Sequence, residues 1–365
     1  MQERVGARPH GVSRMADGAA KDLRYLIDSY LVWAAQQNIP LVEGAAADLA
    51  AIEIAPWSRL GGGVRAAFVH LRGRGDFLAL QVIELPPGGR TEQMRHLYEE
   101  VFYVLAGHGS IEIELPDGKA RQFDWAPNSV FSPPFNAPFR LVNTSATAPT
   151  RLACVSDLPF VMNVYRNESF VFDNPFPFAL SAVSASGHVP DVMSVALAPS
   201  PEPPGSIGTS DLGLGGRCMR AEVFELAGGT YARGRYGLPA HVFPFAGGEK
   251  GRSTGYTLTW SPGDPEFERH DWRPGSVCVT PQDRLHQHFN SGAEPARALA
   301  VSFGTRQRPV LTWVAKQVNA GAASIRDGGF AIDYEDQDQR LHPLWLAELA
   351  RTGMTSRMPA AGQGQ

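Results

Sequence analysis

The chain is written twice, and that repeat limits its fold more than any single motif. Asp124-Trp125-Ala126-Pro127-Asn128-Ser129-Val130 returns as Asp271-Trp272-Arg273-Pro274-Gly275-Ser276-Val277, 147 positions later. Asn143 and Asn290 stand at the same offset. Pro149-Thr150-Arg151-Leu152-Ala153 is matched by Pro295-Ala296-Arg297-Ala298-Leu299. Upstream, Val82-Ile83-Glu84-Leu85 is matched by Val223-Phe224-Glu225-Leu226. A chain of 365 residues built this way predicts two similar units, each long enough to bury a core of its own. Any residue that carries chemistry can then be compared with its counterpart.

The units read as β-rich. Gly and Pro are abundant, at 38 and 29, and only 19% of residues are charged, which suits short strands joined by tight turns. Ser110-Ile111-Glu112-Ile113-Glu114-Leu115 alternates polar and apolar, then meets a turn at Pro116-Asp117-Gly118. Lys21 to Asn38 predicts a helix with Leu23, Leu26, Ile27, Tyr30, Leu31 and Ala34 on one face, ended by Asn38-Ile39-Pro40. Leu341 to Ala350 predicts a closing helix that docks through Leu344, Trp345 and Leu349. The expected boundaries are a disordered tail over 1–20, a first domain over 21–198, a Pro-rich linker over 199–206, a second domain over 207–310 and an extension over 311–365.

Net charge is −4, and no Lys/Arg cluster forms a nucleic-acid footprint. Cys154, Cys218 and Cys278 are odd in number and far apart, which argues against a disulfide framework and for a reducing compartment. No secretory or membrane-spanning apolar stretch is visible, so the expectation is a cytoplasmic protein without a membrane partner.

Gly89, His96, Glu100 and Gly107, then a Pro-rich turn and Asn143, resemble the cupin signature. Its two parts are Gly with His-x-His, Glu and Gly, then a Pro/Gly turn with His-x-x-x-Asn. The Asp-Trp-x-Pro-x-Ser turn and its downstream Asn occur in both units, so the chain resembles a bicupin. The resemblance covers roughly residues 23–305 and is similar to a group of bacterial two-cupin proteins. It implies a mostly β fold of two tandem double-stranded β-helix (jelly-roll) barrels, with a leading and a closing helix. It also implies a homodimer and a small-molecule substrate. Cupins span dioxygenases, decarboxylases, isomerases, lyases and binding proteins, so the fold does not name the activity.

The resemblance further implies three His and one Glu around a divalent ion, Fe, Mn, Ni, Cu or Zn, with positions left open for substrate. In the first unit His96 and Glu100 are present, but Met94 and Phe139 stand at the other two positions. That barrel is expected to be metal-free, with His96 and Glu100 as a buried hydrogen-bonded pair. In the second unit Gly234 and Tyr236 are read at the His-x-His positions, His241 at the Glu position and His286 at the last. Again two of four donors are missing. His286-Gln287-His288 places two imidazoles on one face of a strand, so His241, His286 and His288 form the expected metal site, with Tyr236 beside it. The competing reading makes His286 and His288 ordinary core histidines.

Three functions stay open. The first is metal-assisted, dioxygenase-like chemistry in the second barrel on an aromatic or enolisable molecule. The second is a metal-free lyase, isomerase, dehydratase or cyclase with His241 or His286 as base and Tyr236 as acid. The third is a non-catalytic binding or structural bicupin. Gly247 to Gly255 reads as an inserted hairpin loop rather than a phosphate loop. The lone His70, His108 and His270 are expected at the surface or in turns.

Overall fold

The computed structural model describes residues 28–115, 118–176, 178, 187–199, 205–214, 216–245, 254–304, 316 and 320–358. The first seven residues of the expected leading helix, most of the 247–255 loop and residues 200–204 of the expected linker lie outside them.

The chain opens with α1 (Ser29–Gln36), β1 (Leu41–Gly44), β2 (Ala46–Asp48), β3 (Ala55–Pro56), β4 (Arg65–Leu71) and β5 (Ala79–Leu85). There follow β6 (Glu100–Ala106), β7 (Gly109–Glu114), β8 (Ala120–Trp125), β9 (Val130–Phe131), β10 (Phe139–Asn143) and β11 (Thr150–Ser156). Two short helices, α2 (Leu158–Tyr165) and α3 (Glu168–Val171), close the first unit, and β12 (His188–Val189) and β13 (Ala198–Pro199) lead out of it. The second unit holds β14 (Ser206–Asp211), β15 (Met219–Leu226), β16 (Thr230–Tyr231), β17 (Ala240–Pro244) and β18 (Gly255–Trp260). It ends with β19 (Glu268–Asp271), β20 (Ser276–Thr280), β21 (Leu285–Asn290), β22 (Ala296–Phe303) and a closing helix, α4 (Leu341–Thr352).

The two units share one strand order. The first has β5-β11-β6-β9 in its large sheet and β10-β7-β8 in its small one. The second has β15-β22-β17-β20 and β21-β18-β19 in the same order. In each, a large and a small sheet enclose one interior, which is the jelly-roll arrangement. β2 leaves the first unit and pairs with β20 of the second, Ala46 opposite Cys278.

The repeated sequence does the same structural work twice. Asn143 Nδ2 donates to the carbonyls of Leu85, Pro86 and Ala148, and Asn290 Nδ2 to those of Leu226, Ala227 and Glu294. Each Asn thus ties the end of one strand to the turn before another. In the repeated turns Ser129 and Ser276 accept from the backbone N–H of Ala126 and Arg273. Asn128 and Gly275, at φ 70° and 77°, supply the left-handed step there, a conformation Asn and Gly tolerate best. Trp125 and Trp272 need a glycine across the sheet. A Cβ at Gly109 or Gly255 would come within 2.4 Å of the indole.

Strand alternation gives each large sheet two faces. The inner face of the first barrel joins a core with Phe68, Phe102, Phe131, Phe139, Leu141, Ile111, Ile113 and Trp125. Its outer face presents Val69, Leu80, Val82, Val101, Tyr103 and Val155. These pack on Val223, Phe243, Val279, Leu299 and Val301 of the second barrel, so the large sheets meet face to face. α1 covers the first barrel with Tyr30 and Trp33 buried. α4 covers the small sheet of the second barrel with Leu341, Trp345 and Leu349. Leu344, expected to dock, is 50% exposed because it projects from the outer side of α4. Among the described residues no helix is long and apolar enough to cross a membrane.

Candidate functional site

In the first barrel the two expected donors bond to each other. His96 Nε2 lies 3.0 Å from Glu100 Oε1, and both side chains are buried. His96 Nδ1 lies 3.0 Å from the Tyr98 carbonyl oxygen, which can only accept, so Nδ1 carries a hydrogen. The contact with Glu100 needs a hydrogen as well. Cys154 Sγ donates to Glu100 Oε2 at 3.2 Å, and burial, followed by the charge of Glu100, holds the thiol well above its usual range. Tyr98 stacks on one face of His96 at 3.6 Å, and Phe139 meets the ring edge-on at 5.6 Å. The donor set does not fit a divalent ion. Phe139 offers no donor, Met94 only a thioether, and His96 and Glu100 are hydrogen-bonded to each other, which leaves two of the four usual donors absent.

The second barrel assembles a different group from the one expected. Cα pairing sets the true equivalences. Glu100 faces Ser156 across β6 and β11, and Ala240 faces Ser302 across β17 and β22. Ala240, not His241, therefore stands where Glu100 does. His241 corresponds to Val101 and looks outward, toward the first barrel. Likewise Met94 bridges Phe139 while Arg235 bridges His286. The His-x-His positions are thus Arg235 and Gly237 rather than Gly234 and Tyr236. Shifting a strand by one residue reverses every side chain on it, and this is why the expected His241/His286/His288 trio does not form. Among the described residues those three do not bring their ring nitrogens within 4.8 Å of one another. Tyr236 is also removed from the trio, since it packs on the outer cluster of Tyr256, Trp260 and Leu285 beneath α4.

What remains inside is His286, His288, Thr257, Thr259, Trp272 and Cys278, with Arg235 at the edge. The two imidazoles sit on one face of β21, 5.4 Å apart. His288 Nδ1 lies 2.9 Å from Thr257 Oγ1, which accepts from Trp272 Nε1 at 2.8 Å. His286 Nδ1 is buried with no hydrogen-bond partner. Burial holds His286 well below the ordinary histidine range, with further lowering from His288 and Arg235. Burial, then Arg235, lowers His288 to about 3. Both rings are neutral at pH 7, which keeps a lone pair available on each. Burial pushes the Cys278 thiol up to about 12, so it is an inert thiol rather than a nucleophile.

Two imidazoles fall short of three His and a Glu, and the positive charge of Arg235 opposes a cation beside them. A divalent metal here would have to complete its shell with water or substrate. Among the described residues, the His/Cys/Asp/Glu group tight enough to hold an ion is Glu99, Asp157 and Cys218. It sits where the barrels join. The Glu99 carboxylate accepts from the backbone N–H groups of Arg217, Cys218 and Met219, the surroundings of an anion latch. His70 and His270, expected at the surface, are both buried, whereas His108 is exposed.

Residues 81–156 match the family model described as Cupin domain. The second half repeats the strand order of that unit, so the chain carries one matched Cupin domain followed by a second unit of the same topology. Solved structures of oxalate decarboxylase are similar in fold. One shares 14% identity over 72% of this chain and 77% of its own, with a TM-score of 0.49. Variants of the Bacillus subtilis enzyme give 14% and 16% identity over the same shares, with TM-scores of 0.48 and 0.47. Likeness at that level says nothing about individual residues. No curated protein sequence matches this chain.

Arg235 and Thr257 are the residues that reading the sequence alone missed. Thr257 was within reach: Ile111 and Ile113 become Thr257 and Thr259 next to twin tryptophans, and threonines in a barrel interior need polar partners.

Proposed function

We propose that the protein is a small-molecule enzyme whose chemistry is proton transfer by His286 in the second barrel, without a resident metal. The observation that carries this reading is the buried, partnerless Nδ1 of His286. A buried polar atom without a partner costs about 1–3 kcal/mol, and a substrate group would supply the missing bond. A neutral imidazole is in the form a general base requires. Arg235 supplies the complementary charge for a carboxylate or for the enolate oxygen that develops as a proton leaves the adjacent carbon. The carbon–hydrogen electron pair passes into the carbonyl, the proton rests on His286, and its return or the loss of a leaving group completes an isomerase or lyase reaction. His288, held by Thr257, lies close enough to exchange a proton with the same substrate.

Incubation in D₂O with a panel of 2-keto and 3-hydroxy carboxylates tests this without knowledge of the full reaction. Proton NMR should show deuterium entering at least one compound, an exchange insensitive to chelators. In His286→Gln it should fall by about 10²–10⁴-fold. Stoichiometric Fe, Mn, Ni, Cu or Zn by mass spectrometry, lost together with activity in His286→Gln, would overturn the metal-independent reading.

A further inference from the structure

A cavity of about 550 Å³ opens between the N-terminal segment and the β4–β5 connection, away from both barrel interiors. Leu31, Glu43, His70, Arg72, Arg74 and Asp76 line it. The second barrel stands directly behind it. A Cβ at Gly73 would strike Pro281 at 2.5 Å, and Gly75 lies against Pro239. Arg72 reaches across to Glu268 on β19 at 2.8 Å. Two of the cationic groups here therefore differ in their freedom. Arg72 is paired, whereas Arg74 donates only to the carbonyls of Gly75 and Leu78 and has no ion pair among the described residues.

Two buried imidazoles lie within electrostatic reach of that guanidinium. His70 Nε2 lies 2.6 Å from Tyr30 Oη, and Arg74 sits 5.5 Å above the Tyr30 ring. His241 is fully buried, and neither Nδ1 nor Nε2 has a partner. Arg74 is the charged group that acts most strongly on both rings, and His241 in turn acts on His70. Burial is the larger cause in each case, leaving both imidazoles neutral. A neutral imidazole with two orphaned nitrogens offers one donor and one acceptor. Arg74 and His70 thus meet at one cavity of the first unit, with Pro239 and Pro281 of the second barrel packed against its glycines; His241 is buried outside its lining.

We propose that this cavity is a second small-molecule site, for a ligand whose carboxylate or phosphate pairs with Arg74 and whose hydrogen-bonding groups meet His70. Glu43 and Asp76 on the same walls select for a small anion that also carries a donor, such as a hydroxyl. The site is independent of His286 and of the reading given for the second barrel.

Imidazole resonances in ¹H–¹⁵N spectra test it, with glycolate and inorganic phosphate as probes and His70→Gln and His241→Gln to assign signals. The expected result is a saturable shift of the His70 signal. The affinity should weaken at least about tenfold in Arg74→Gln, partly recover in Arg74→Lys, and stay unchanged in His286→Gln. Saturation by glycolate alone identifies a carboxylate ligand, and by phosphate alone a phosphoryl one. No saturable shift with either probe, or equal affinity in Arg74→Gln, overturns the proposal.

Discussion

The first barrel fills its interior with Phe102, Phe131, Phe139, Leu141, Ile111 and Ile113, and the second places Val242, Cys278, His286, His288, Thr257 and Thr259 at the matching positions. Every exchange replaces a large apolar side chain with a smaller or a polar one. The strands, the turns and the asparagine ties are the same. The lesson is that strand order is held by backbone pairing and turn chemistry, which both units keep. The interior is free to become either a packed core or a polar site. The first barrel has spent its interior on stability, with His96 and Glu100 closed on each other. The second has kept an unpartnered buried nitrogen on His286, which in a packed protein invites a ligand.

The sharpest way to break this contrast is to cut the same position in both barrels. Phe139→Ala should cost about 3–5 kcal/mol in urea unfolding, since it empties the middle of an aromatic core. His286→Ala, at the twin position, should cost less than about 1.5 kcal/mol, because it also removes an orphaned polar atom. Equal losses would show that the second interior is as tightly packed as the first.

Asn143→Ala and Asn290→Ala probe what the barrels share. Each uncovers three buried carbonyls, and each should cost about 1–3 kcal/mol, with the two values close to each other. A large difference between them would mean that the two scaffolds are not held alike.

The smallest effect belongs to the joint. Burial raises the Glu99 carboxyl, although the N–H groups of Cys218, Met219 and Arg217 offset part of that. Burial and then the charge of Glu99 hold Asp157 well above the usual carboxylate range. Folded carboxyls with raised pKa values bind protons more tightly than the unfolded chain does. Stability from this pair is therefore greatest below the unfolded values of 3.8 and 4.5, and is lost as pH rises through the raised ones. Denaturant midpoints measured across that range should fall with pH in the native protein and flatten in Asp157→Asn. A slope that persists in the variant assigns it to other groups.

Much of the fold was legible because its signals are local. The repeated turn carries its own serine and left-handed residue. Alternation in Ser110 to Leu115 gives a strand whichever neighbours it has, and Tyr30 and Ala34 fall on the buried side of α1 as their spacing predicts. The pairing of His286 with His288 on one face needed only the period of two. The same reasoning failed for His241 and Tyr236. The connection is one residue shorter from Gly237 to Ala240 than from His96 to Glu100, and no local signal marks where that residue was lost.

The sequence by itself thus determined that there are two jelly-roll units, where their turns lie, and which strand carries a His-x-His. Only the tertiary structure decided which face of each strand looks inward. It turned His241 toward the neighbouring barrel, brought Arg235 beside His286, and set His70 and Arg74 around a cavity at the junction. The physical reason is that the direction of a side chain depends on the register of backbone hydrogen bonds with distant strands. That register is fixed by the cores and turns of the whole molecule rather than by the residues nearby.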